Sequence, residues 1–347
     1  MQSLMQKAHE ETKWCYLSGQ IKALEKELVS NAQYQSLISA RDHHELLRSL
    51  SDSPYKSVLR QEEDLFDYEK ILNAQLSAKL DWIERYSPQP IVYHYFKVRG
   101  DIQDLKARIK SYISKIPQDE ELSEKRIEEE QLKEQLYGSA FDHGEIPLEY
   151  HDAYMAIVQT YREKKILQSI DFEADRQMLA ILHKVADASS NEMMKSYTTA
   201  FIELKNLCAL VRLKALGVPG DMLPDILFIP PQSELKLGLA MDSMRELYEA
   251  PRNTWPVILA LYGYQNIFIE YGTSPEGSPT LEIEKKCDDF LMDILRRAKY
   301  IPFGIEVAFA YMASFLVEIV NIKIIVIAKL NNLTEGVISA KVRRGYV

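Results

Sequence analysis

Apolar residues recur along most of this chain at intervals of three and four, the spacing that puts them on one face of an α-helix. Tyr16, Leu17, Ile21, Leu24, Leu28 and Val29 fall on such a face, with Lys22, Glu25, Lys26 and Glu27 opposite. Ser30-Asn31 breaks that helix. Tyr34, Leu37, Ile38 and then Leu46, Leu47 and Leu50 continue in short helices, so residues 1–60 read as two or three helices. A longer amphipathic helix is predicted over 62–86. Ser87-Pro88-Gln89-Pro90 stops it, because proline lacks an amide hydrogen and restricts the residue before it. The next helix carries Asp101, Asp104 and Leu105, and the strongly charged residues 114–136 read as a solvated helix or connector. After the turn-rich Gly138–Pro147, one long helix is predicted from Tyr150 through Leu182. Another follows at 197–216, closed by Gly217-Val218-Pro219-Gly220. Helices over 237–249, 258–271 and 280–299 precede the last and most apolar stretch, 303–347. No segment alternates with period two for long enough to make a sheet, so the fold is expected to be all-α.

Glu318, Asn321 and Lys329 interrupt that last apolar pattern. The same frame occurs at Glu203, Asn206 and Lys214: Asn three positions after the acid, apolar residues at four and seven, Lys at eleven. A looser copy begins at Asp101, where Asp104, Leu105 and Lys106 keep the frame while Arg108 and Tyr112 depart from it. On a helix these positions form one stripe. The Lys lies about three turns beyond its Glu, too far to reach it, and should look to a neighbouring element. Two readings follow: buried polar groups satisfying backbone at helix crossings, or hubs lining a shared central surface that touches a partner. The repetition predicts one structural unit used three times, at 1–113, 114–220 and 221–347.

Composition narrows the class. Of 347 residues, 46% are apolar and 27% charged, with only 13 Gly and 14 Pro, which suits a helix-rich globular protein. The net charge of -9 disfavours nonspecific nucleic-acid binding but leaves room for a basic protein partner. Cys15, Cys208 and Cys287 are odd in number and make no CxxC, which reads as a reduced thiol set. The polar Met1–Lys13 argues against a secretory signal. The run 303–330 is broken by Glu306, Glu318, Asn321, Lys323 and Lys329, so a buried core helix is expected there rather than a membrane span. No phosphate-cradling GxxxxGK[ST], GxGxxG or nucleophile GxSxG occurs. His143, Glu149, His151 and Asp152 resemble a metal set, but the two histidines are eight apart with Gly144 and Pro147 between them, which is no known zinc spacing. A metal-dependent hydrolase on His143, His151 and Asp152 is the enzymatic rival. Twenty Tyr are more than expected and suit interfaces or shallow cores. The basic tail Lys341, Arg343 and Arg344 reads as a complement to a helix dipole or as a contact for an anionic surface.

With these residues placed, the chain resembles the C subunits of V/A-type rotary ATPases, known as the d subunit in the eukaryotic enzyme. Tyr16-Leu17-Ser18-Gly19-Gln20-Ile21-Lys22-Ala23-Leu24-Glu25, followed by Tyr34, Leu37, Ala40 and Asp42, is similar to that family's opening. Asp101 through Lys106, Glu203 through Lys214 with Gly217, and Glu318 through Lys329 with Asn331, Leu333, Val337 and Ile338 resemble its three hub helices in order. Asp104 stands where the family usually has Asn, and Lys323 where Arg is common. The resemblance implies three pseudo-threefold-related helical repeats forming a funnel. It implies a non-catalytic rotor part without a cofactor, peripheral on the cytoplasmic face of the membrane. Its partners would be the central shaft subunits and the membrane rotor ring, with the membrane stator as a further candidate. No nucleic acid or small-molecule substrate is implied. Asp101, Asp104, Glu203, Asn206, Lys214, Glu318, Asn321 and Lys329 are the hub or partner-binding residues. The acidic body is expected to seat a basic shaft foot. The alternative is an all-α scaffold with another client.

Overall fold

A computed structural model describes residues 13–41, 43–51, 55, 68–114, 148–230, 237–271 and 279–347. Among these residues every regular element is helical. The first described elements are α1 (Cys15–Leu24), a 3₁₀ turn at Glu25–Glu27, α2 (Asn31–Ser39) and α3 (His43–Ser51). Ser30 is both the break and the next start. Its hydroxyl accepts from the Gln33 amide at 3.3 Å, and the Gln33 side chain accepts from the Ser30 amide at 2.8 Å. Next come α4 (Tyr68–Tyr86) and α5 (Ile91–Ser114), parted at Ser87–Pro90 as expected. The predicted beginning of α4 at 62, the charged stretch after Ser114 and the turn segment with His143 lie outside the described residues.

Between Tyr150 and Leu182 the expected single helix is two, α6 (Leu148–Lys164) and α7 (Leu167–Ala188). Lys165 turns the chain with a left-handed φ of 54°. No Gly or Pro announces this. The reversal lets α7 pack along both α6 and α5, and the burial it gains offsets about 1–2 kcal/mol of left-handed strain. α8 (Glu192–Leu216) stops at Gly217, where φ is 65° and the Val218 amide reaches back to the Leu213 carbonyl at 3.1 Å. α9 spans Met241–Glu249 and starts later than 237, because the Gly238 and Leu239 amides serve a side chain of α8 instead. The predicted helix 258–271 is also broken. Short turns occupy Trp255–Leu259, Ala260–Tyr262 and Gln265–Phe268, and Gly263, at φ 80°, reverses the chain so that Tyr264 points into the core.

The chain closes with α10 (Pro279–Arg296), a 3₁₀ turn to Tyr300, α11 (Ile305–Leu330) and α12 (Glu335–Lys341). One apolar cluster surrounds α11 and draws on α1 through α7; a second is built on α8, α9 and α10. Val307–Phe315 are nine consecutive buried positions. At about 1.5–3 kcal/mol for each large side chain buried, this run makes α11 the most firmly anchored element. Of the described helices, α11 alone is long and apolar enough to cross a membrane, and 67% of its apolar window is buried inside the fold.

The basic tail caps its own helix only in part: the Arg343 guanidinium donates to the carbonyl of Lys341, the last residue of α12, at 2.9 Å, and both tail arginines meet α10. The Arg343 guanidinium lies 2.9 Å from Asp288, and that of Arg344 lies 2.8 Å from Asp293. The Arg344 amide donates to Asp289 at 2.7 Å. An acidic stripe on α10 therefore holds the tail, and Tyr346 is buried beyond it.

Candidate functional site

Glu318, Asn321 and Lys329 of α11 each bind a different segment. Glu318 is 4% exposed. It accepts from the Val29 amide at 2.6 Å and from the Tyr55 hydroxyl at 2.8 Å. One turn on, the Asn321 side chain pairs with both backbone groups of Arg343, donating at 2.9 Å and accepting at 2.8 Å. Lys329 donates to the carbonyl of Ala40, which caps the C-terminal end of α2, at 2.6 Å. Its charge sits where the helix dipole is negative.

α8 repeats this arrangement. Glu203, 3% exposed, accepts from the Gly238 and Leu239 amides at 2.5 and 2.9 Å and from the Tyr264 hydroxyl. Asn206 pairs with both backbone groups of Phe228, at 2.7 and 3.1 Å. Lys214 donates to the carbonyls of Tyr248 and of Ala250, the latter at 2.9 Å and capping the C-terminal end of α9. The agreement extends to spacing. Each Asn meets the residue 22 positions downstream of it. Val29 and Ala40 are eleven apart, as are Leu239 and Ala250, and α2 and α9 both have nine residues. Each hub thus grips a loop amide, a tyrosine and the end of a nine-residue helix. These bonds run from α8 into residues 228–264 and from α11 into residues 29–55, across the boundaries read from the sequence at 220 and 113.

The looser copy on α5 is looser in space as well. Asp101 is half-buried and hydrogen-bonded to Tyr150; burial lifts its carboxyl above the usual range, with Lys97 and Tyr150 pulling the other way. A tyrosine therefore meets the acid in all three copies. Asp104 is exposed, and among the described residues it makes no paired backbone contact like those of the asparagines. Tyr112, at the Lys position, is half-buried.

Sequence reasoning missed the three tyrosines. Their excess was visible, but nothing local marked Tyr55, Tyr150 and Tyr264 among twenty. It also missed the partly buried Lys79 on α4, whose cation acts on Glu318. Burial pushes the Glu318 carboxyl up to about 7, against the pull of the Val29 amide, the Tyr55 hydroxyl and Lys79. Burial and the Glu318 charge together raise the Tyr34 and Tyr55 hydroxyls above their ordinary value.

A cavity of about 360 Å³ opens beside α8, walled also by α5, α7, α10 and the tail. Asn206 lines it, as does Arg343, whose backbone Asn321 holds. Its described lining carries the cations Arg99, Arg176, Lys205, Arg212 and Arg343 against the carboxylates Asp175, Glu284 and Asp288. At this concavity the sign is therefore opposite to that of the acidic body as a whole. A net charge of -9 fixes the sum over the surface, not the sign at one concavity.

Among the described residues no group of three or more His, Cys, Asp or Glu could hold a metal ion. His151 is half-buried and Asp152 exposed on α6. The hub arrangement joins segments and fixes their positions; its acids, amides and ammonium groups are used up in structural bonds.

A family model described as ATP synthase (C/AC39) subunit matches residues 17–341. The chain is 20% identical over 338 residues to the C subunit of the V-type sodium ATPase of Enterococcus hirae, covering 95% of this chain and 98% of that protein. It is 22% identical over 342 residues to the C subunit of the A-type ATP synthase of Methanocaldococcus jannaschii, covering 92% of this chain and 84% of that protein.

Proposed function

The chain belongs to the ATP synthase (C/AC39) subunit family, and we propose that it is a non-catalytic central-stalk adaptor of a V/A-type rotary ATPase. In this reading it seats the central shaft subunits, rides on the membrane rotor ring and passes torque between them. It lies peripherally on the cytoplasmic face and meets the membrane stator in passing. The hub helices α5, α8 and α11 head three related thirds of a funnel.

One observation carries the proposal. α8 and α11 hold their surroundings by the same acid, amide and ammonium bonds to equivalent backbone groups. A part that transmits torque must resist shear between its thirds, and buried polar groups fix register where apolar contacts would slide. Each bond is directional and joins segments far apart in the chain, so the hubs behave as rivets. The cationic cavity suits an acidic shaft foot, with the field acting mainly on encounter and orientation.

The test is recovery of partners from detergent-solubilised membranes with a tagged full-length chain. Shaft and rotor-ring proteins of a rotary ATPase should co-purify in fixed ratio. Recovery of an unrelated client, with no rotary ATPase component, would replace this reading with the scaffold one.

A further inference from the structure

Two of the three cysteines meet. Cys208 on α8 and Cys287 on α10 are both buried, and their Sγ atoms lie 3.7 Å apart. They are 79 residues apart in sequence and belong to no CxxC motif. Both are among the residues that line the cavity, which gives a small solute a route toward them. Lys205 and Arg212, three positions before and four after Cys208, line the same cavity. Cationic, partly accessible surroundings of this kind favour a thiolate. The two thiols are also unequal. The hydrogen bond from Cys287 draws Cys208 below the ordinary thiol value, with Lys205 and Arg212 adding to it against burial. The same bond, then burial, drives Cys287 well above that value.

We infer that Cys208 and Cys287 form a dithiol that hydrogen peroxide converts into an intramolecular disulfide. The Cys208 thiolate attacks one peroxide oxygen; an S–O bond forms, the O–O bond breaks, and the departing hydroxide takes up the proton Cys208 lost. The Cys287 sulfur then displaces hydroxide from this sulfenic acid, the S–S bond forms, and the Cys287 proton leaves in a second water. Two thiols lose two electrons in all, and one peroxide becomes two waters. From 3.7 Å, a bond of about 2.05 Å requires roughly 1.7 Å of approach. Rotation about the cysteine side chains and a small shift of α10 against α8 supply that without refolding any segment. The product ties the hub helix α8 to α10 across the cavity wall.

The experiment uses the full-length chain with the exposed Cys15 changed to Ser, so that only the buried pair reacts. After peroxide, intact mass should fall by about 2 Da, and a peptide joining Cys208 to Cys287 should appear and vanish on reduction. The thermal midpoint should rise by about 5 °C, because the crosslink closes a long loop of the unfolded chain. With Cys287→Ala added, the reaction should stop at a Cys208 sulfenic acid that dimedone traps. With Cys208→Ala instead, Cys287 should stay reduced at the same dose. Retention of two free thiols, or separate sulfinic acids without a crosslinked peptide, would overturn the inference. Both of these readouts come from the Cys15→Ser chain itself, so the test decides even where a further variant misfolds.

Discussion

Replacing Glu318 by Gln isolates the ionisation of a single buried carboxyl. In the folded chain burial pushes its pKa to about 7, from the ordinary glutamate value of 4.5. Between those values the native state holds a proton that the unfolded chain has lost, so stability falls as pH rises through this window. Each pKa unit is about 1.4 kcal/mol, and between pH 5 and pH 8 the two titration curves together withdraw about 2.5 kcal/mol. The introduced amide would still accept from the Val29 N–H through its oxygen, and the Tyr55 hydroxyl can turn to accept from the new NH₂ group. The variant should therefore unfold close to the parent at pH 5 and later than it at pH 8. For a chain of this size the difference amounts to about 3 °C in midpoint. Differential scanning calorimetry of both proteins at half-unit steps of pH measures it. Parallel midpoint curves from pH 5 to 8, or a variant that loses ground as pH rises, would refute the account of a desolvated carboxyl at the centre of this hub.

Other perturbations probe neighbouring parts of the structure. Asn321→Ala or Asn206→Ala leaves backbone groups of Arg343 or Phe228 without partners and should cost about 2–4 kcal/mol in denaturant unfolding. Exchanging Lys329 for Met removes the ammonium from the end of α2, and Lys214→Met does the same for α9. Each should lower stability by about 1–3 kcal/mol and speed amide exchange in the affected nine-residue helix while sparing the other. Gly263→Ala meets no atom within 4 Å of the added methyl, yet sits at φ 80°. Its cost should be conformational alone, about 1–2 kcal/mol by thermal unfolding. Joint reversal of Arg99 and Lys205 to Glu should weaken association with the shaft subunits and flatten its dependence on salt in surface-plasmon measurements; unchanged binding would remove the cationic cavity from the proposed seat.

The equivalence of the two hubs has a mechanical side. A buried carboxylate or amide is costly unless every lone pair and hydrogen is used, and here the partners are mostly main-chain groups. Backbone groups fix position more tightly than flexible side chains, so each hub ties down the path of a loop and the end of a helix together. The third copy departs where the frame itself departs. Asp104 cannot offer an amide N–H as Asn206 and Asn321 do, and it stands in solvent.

By itself the sequence determined the helical character, most of the helix ends, the buried nature of α11 and the positions of both polar frames. These follow from local rules: the period of apolar residues, the missing proline amide at Pro88 and Pro90, and the freedom of Gly217 to take a left-handed turn. Only the tertiary structure decided where Lys165 and Gly263 reverse the chain. It also decided which three of twenty tyrosines meet the hub acids, that the tail lies on α10, that the cavity is cationic, and that Cys208 faces Cys287. Each of these depends on contacts between residues remote in the chain, up to 289 positions for Val29 with Glu318 and Ala40 with Lys329. A local pattern states what a residue requires, such as a partner for a buried charge. Packing of the whole chain selects which distant group supplies it.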